Sequence, residues 1–156
     1  LLKHAEARSA EQRIEGFRAE IAQHPSFQIV AEADCSGQLE RAMPAMEKML
    51  MEHPEIDTVM ALNDPAALGA IAALQSAGRM PGDTMVYGVD GVPESRELIR
   101  AGWMTATAVQ SPRGIGRMAA EEAYRILSGE SAADIDLPTR LLTRANMDEN
   151  DDGGWD

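Results

Sequence analysis

Two rhythms of apolar and polar positions take turns along the chain. From Ser9 to about Gln23, Ile14, Phe17, Ala19, Ile21 and Ala22 recur at helical spacing. The apolar run Phe27 to Ala31 (FQIVA) predicts a strand. Leu39 to Glu52 predicts a helix with Met43, Met46, Met49 and Leu50 on one side and Pro44 in its first turn. Ile56 to Leu62 predicts a strand, and Pro65 to Ala77 a helix closed by Gly78. Thr84 to Val89 reads as a strand, Pro93 to Ala101 as a short helix before Gly102, and Trp103 to Val109 as a strand. A long helix over Pro112 to Leu127 ends near Gly129, and an extended piece follows from Ile135 to Thr143.

Strands and helices that alternate across short links define an α/β fold: a parallel sheet flanked by helices on both faces. Strands covered on both faces need not alternate polar and apolar residues. One junction departs from this simple pattern. The buried-looking run Val59-Met60-Ala61-Leu62 ends in Asn63-Asp64-Pro65. Asp64 is expected to cap the following helix, with Pro65 at its first position. Asn63 is then the last side chain of the strand, with no structural duty. His24 and His53 each precede a proline at a helix end, where a histidine suits the helix dipole.

Composition narrows the function. A net charge of −12 argues against nucleic acid or an anionic membrane as partner. Part of that acidity lies in residues 148–156, which read as a solvated acidic tail. Aromatic residues make up only 4%, against ten methionines, so the core is expected to consist of Ala, Leu, Ile, Val and Met. The single cysteine, Cys35, permits no internal disulfide. No apolar run approaches the ~20 residues of a membrane-spanning helix. The chain opens on Leu1-Leu2-Lys3 with neither a methionine nor a signal peptide, as expected of a fragment or a processed product.

Ligands of open α/β sheets bind beyond the carboxyl ends of the strands. The polar residues expected there are Glu32 and Asp34 after FQIVA, Asn63 after TVMAL, Asp90 after MVYGV and Gln110 after TATAV. Arg13, early in the first helix, joins them if a strand precedes it. A guanidinium, two amides and a carboxylate can donate to and accept from adjacent hydroxyls, but they include no nucleophile. Asp90, followed by Gly91, suits a tight turn and a ligand contact equally well. Gly114-Ile115-Gly116-Arg117-Met118-Ala119 fits a dinucleotide-binding pattern, but Ser111-Pro112 intervenes and no acidic strand end follows at the required distance. The three histidines and Cys35 lack metal-ligand spacing, and no nucleophile motif is present, so neither cofactor nor metal is expected and enzyme is the weaker class.

The segments HPEIDTVMALNDPAALGAIAALQSAGR, VYGVDGVPE, IRAGWMTATAVQSP and LPTRLLTRAN, in this order, resemble the sugar-binding type I periplasmic binding proteins. These are the ribose- and galactose-type receptors of ABC importers. The resemblance runs from Arg13 to Asn146. It implies a sugar or polyol ligand, an importer permease as partner, a periplasmic or other extracytoplasmic location, and ligand contacts at Arg13, Asn63, Asp90 and Gln110. Many members carry a ring-stacking aromatic in the loop that here reads Asp34-Cys35-Ser36-Gly37-Gln38. Such receptors have two lobes and about twice this length. Residues 1–110 therefore match the C-terminal lobe, and residues 111–147 a closing helix and strand that return towards an N-terminal lobe. With no such partner in the chain, self-association through the 112–129 helix is expected. The effector-binding domain of a lactose-repressor-like regulator shares this fold and is the alternative.

Overall fold

The computed structural model describes residues 1–4 and 7–147. The expected acidic tail, residues 148–156, lies outside the described residues. The elements run β1 (Leu2–Lys3), α1 (Arg8–Ile21), β2 (Ala33–Asp34), α2 (Leu39–Glu52), β3 (Thr58–Met60), α3 (Asp64–Ser76), β4 (Met85–Asp90), α4 (Pro93–Ala101), β5 (Ala106–Val109), α5 (Pro112–Leu127) and β6 (Arg140–Thr143). β1 pairs with β2, and β3, β4 and β5 pair in sequence, all parallel. Among the described residues one bridge, Leu2 to Ala61, joins the two ladders. The strand order is therefore 2-1-3-4-5-6, and its direction reverses between β1 and β3. Right-handed crossovers put α1 on one face of the sheet and α2, α3 and α4 on the other.

α3 shows how the sequence sets the packing. It is apolar almost all round, as a helix enclosed on most sides must be. Ala66, Ala67, Ala70, Ala73 and Leu74 are all buried. Small side chains let α2 approach closely. A Cβ on Gly69 would lie 2.5 Å from the Leu39 carbonyl oxygen and 2.8 Å from the Ala42 Cβ. The core beside this contact contains Met46, Met49, Ile71, Val86, Ile99, Met104 and Leu142, as the aromatic-poor composition requires.

Several expectations need correction. FQIVA is not a strand: Phe27 and Val30 are exposed, and pairing begins only at Ala33. With Leu2 opposite Ala33, the Leu1 amino group reaches the Ala31 carbonyl at 2.8 Å, and residues 27–30 have no ladder partner among the described residues. β1 itself, only two residues long, carried no usable periodicity. Pro44 lies inside α2 rather than in its first turn, removing one intrahelical donor. β5 begins at Ala106 rather than at Trp103. β6 covers only the end of the expected extended piece and runs antiparallel to β5, so it extends the sheet at its β5 edge. α5 has no buried residue.

Candidate functional site

The carboxyl ends of β3, β4 and β5 set the site. β3 delivers Leu62 and Asn63 to the reversal of strand order, where a crevice opens in such sheets. Asn63, not Asp64, caps α3. Its backbone is extended, and its Oδ1 accepts from Ala66 N at 3.0 Å. Its Nδ2 donates to the Gly37 carbonyl at 3.0 Å. Gly37 turns through φ +65°, and a Cβ there would lie 2.8 Å from Asn63 Nδ2. Asn63 thus ties the 35–38 loop to the start of α3 and keeps one N–H and one lone pair for other partners.

Asp64, expected as the cap, is the first residue of the helix and is fully buried. Its Oδ2 accepts from Gly91 N at 2.7 Å and from Val92 N at 2.9 Å. Its Oδ1 accepts from the Thr107 hydroxyl at 2.7 Å. Thr107 Oγ1 in turn accepts from Gly91 N at 3.2 Å. Burial pushes the Asp64 carboxyl above its ordinary range, while bonds from Thr107, Val92 and Gly91 pull it back. Gly88 makes room for it, since a Cβ there would lie 2.3 Å from Asp64 Oδ1. The helix-capping task falls to Asn63 because this carboxylate is engaged by three other donors, two in the loop between β4 and α4 and one on β5.

Asp90, the last residue of β4, has φ +127°, a conformation costing about 1–3 kcal/mol for a residue with a side chain. Its Oδ1 accepts from Gln110 Nε2 at 2.6 Å, and Arg13 Nη2 lies 3.6 Å from the same oxygen. Arg13 Nη1 donates to the Leu62 carbonyl at 2.9 Å, so this guanidinium spans the ends of β3 and β4. Burial raises the Asp90 carboxyl, while Arg13 and Gln110 oppose that shift.

The structure therefore brings Arg13, Asp90 and Gln110 into one connected line. Asn63 stands beside it, one residue from Leu62, with its own hydrogen bonds running to Ala66 and Gly37. All four side chains are partly exposed. Gln110 and Arg13 both approach Asp90 at Oδ1, and the Asp64 backbone also bears on this carboxyl. Gln110 Oε1 adds an acceptor and Arg13 further N–H donors to the same edge.

Glu32 and Asp34 are not part of this line. Glu32 bonds Lys3 at 3.0 Å and Arg18 at 2.7 Å, and the Lys3 contact leads in holding its carboxyl low. Asp34 accepts from Ser36 N at 2.8 Å within its own turn. In the dinucleotide-like stretch, Gly114 N is taken by Ser111 Oγ at 3.0 Å, as an ordinary helix cap. The residues overlooked in the sequence are Thr107 and Gly88, which accommodate Asp64. A threonine inside the apolar run TATAV was the one available signal.

Donors and acceptors gathered at the carboxyl edge of an open α/β sheet stand where such sheets hold ligands. Residues 2–131 match the periplasmic binding protein domain, and the chain belongs to that family. It is 37% identical to the ribose import binding protein RbsB of Salmonella typhimurium over 122 residues, 78% of this chain and 40% of that protein. It is 29% identical to the D-allose-binding periplasmic protein of Escherichia coli over 140 residues, 86% of this chain and 45% of that protein. An ABC transporter solute binding protein from Bacillus halodurans, solved with bound myo-inositol, superposes with a TM-score of 0.88 at 30% identity, covering 96% of this chain and 52% of that one. The chain spans about 40% of the length of the curated relatives it matches first.

Proposed function

We propose that this chain is the ligand-binding lobe of a solute-binding protein that delivers a sugar or sugar-like polyol to the permease of an ABC importer, in the periplasm or otherwise outside the cytoplasm. It binds and releases its ligand, breaking no bond. The observation that carries the reading is Asp90. Its partly exposed carboxylate is held by Gln110 and Arg13 through one oxygen, and its remaining lone pairs can accept from adjacent hydroxyls. Ribose, allose and myo-inositol, named for the relatives, all offer such hydroxyls on a ring. Those relatives are transport receptors, which favours import over the regulator alternative. Arg13, Asn63, Asp90 and Gln110 are the proposed contacts. Calorimetric titration with a panel of pentoses, hexoses and inositols tests this. Saturable heat with at least one member supports the reading, and none with any member contradicts it.

Self-association belongs to the same reading. Ile115, Tyr124, Ile126 and Leu127 of α5 are exposed, as are Ile135 and Leu137 beyond it. Contiguous apolar surface of this kind seeks a partner surface. In a solution of this chain alone, a second copy supplies it through residues 112–129. Sedimentation velocity should show a dimer or larger species, and a clean monomer at all concentrations would contradict this.

A further inference from the structure

Asp64 is buried, ionisable and outside the proposed ligand contacts, yet it lies at the centre of the loop that carries Asp90. Its Oδ2 receives the two consecutive backbone N–H groups that follow Asp90, from Gly91 and Val92. Its Oδ1 is fixed by Thr107, three residues before Gln110 on the neighbouring strand. Two N–H groups converging on one oxygen force the chain to turn immediately after Asp90, and Asp90 takes φ +127°. A side-chain-bearing residue holds such a conformation only where its surroundings over-determine it. The turn is also closed from behind. Gly91 has φ +81°, and a Cβ on it would lie 2.7 Å from Val109 Cγ2. Gly88, which leaves space for the Asp64 carboxylate, lies on the same strand as Asp90.

We infer that Asp64 is a positioning residue for the binding site: through Gly91 and Val92 it fixes the backbone of Asp90 and so aims the Asp90 carboxylate at Gln110, Arg13 and the ligand. The part concerning ligand rests on the proposed function. The part concerning Asp90 and Gln110 stands without it, and the two are tested separately.

In the ligand-free protein, the side-chain amide of Gln110 reports the bond to Asp90. Its ¹H–¹⁵N signal is assigned by its loss in Gln110→Met. In Asp64→Ala this signal should move to the position of a free, rapidly exchanging carboxamide, while the remaining spectrum stays folded. An unmoved Gln110 signal in folded Asp64→Ala overturns the inference. If Asp64→Ala does not fold, Asp64→Asn and Thr107→Val take its place. Each removes part of the clamp and should move the signal part of the way, and no movement in either overturns the inference equally.

The second arm is a double-mutant cycle on affinity for a sugar from the panel that binds. Asp64→Ala should weaken binding about tenfold or more in the native background and by less than about twofold in an Asp90→Ala background. A purely structural role gives the same factor in both backgrounds, and that result overturns the inference. If no sugar binds the native chain but the Gln110 signal collapses in Asp64→Ala, the proposed function fails and the positioning role stands.

Discussion

Gln110 donates from Nε2 to Asp90 Oδ1 at 2.6 Å, on the oxygen that Arg13 Nη2 approaches to 3.6 Å. Both partners favour the charged carboxylate and offset the effect of burial. Removing either should therefore raise the Asp90 midpoint. Carbon-detected NMR titration of Asp90 in Arg13→Ala and in Gln110→Ala should show an upward shift in each. An unchanged midpoint in both would mean that the line does not exist in solution.

Gly88 lies where a methyl group would collide with Asp64 Oδ1 and, at 2.7 Å, with Met104 Cε. Met104 is flexible and can yield, but the carboxylate is held by three donors and cannot. Gly88→Ala should lower stability by about 1–3 kcal/mol, the usual cost of overpacking. In urea unfolding the midpoint should fall with the slope unchanged.

Asn63 performs two tasks that substitutions can separate. Asn63→Asp keeps the oxygen that caps Ala66 N but loses the donor to the Gly37 carbonyl. Asn63→Ala loses both, and the lost cap alone is worth about 1 kcal/mol. Thermal unfolding should rank native, Asn63→Asp and Asn63→Ala in falling order. Hydrogen exchange should show the 35–38 loop loosened in both variants.

The raised carboxyls of buried Asp64 and partly exposed Asp90 contribute stability that falls as pH rises. Both have folded midpoints above their unfolded values, so the native state holds more protons in the window between the two. Stability should decline as pH increases from about 4, the unfolded carboxylate range, through the raised folded midpoints. Asp64→Asn cannot ionise at that site and should flatten this decline. Urea unfolding measured at several pH values checks the sign, and a steeper decline in Asp64→Asn would contradict it.

Much of the architecture was legible because its signals are local. α2, α4 and α5 begin and end where the pattern predicts, with Pro93 and Pro112 opening two of them and Gly102 closing one. The strand ends carrying Asn63, Asp90 and Gln110 followed from the alternation of elements. What escaped depends on partners distant in the chain. FQIVA has the composition of a strand, but among the described residues Leu1 meets only its last residue, Ala31. At Asn63-Asp64 both residue types can cap a helix, and nothing within a few positions decides between them. The choice is made by Gly91, Val92 and Thr107, which are 27, 28 and 43 residues from Asp64. The cap falls to Asn63 because Asp64 is engaged across the sheet.

The central claim is that Arg13, Asn63, Asp90 and Gln110 form one face of a site for a ring-shaped polyol. It is tested most directly by following the side-chain amides of Asn63 and Gln110 by NMR during titration with ribose, allose and myo-inositol. Saturable shifts of both amides by at least one of these ligands, reached only at markedly higher ligand concentration in Asp90→Ala, are the predicted result. Amides that stay still with every ligand, or shifts that persist undiminished in Asp90→Ala, would contradict it.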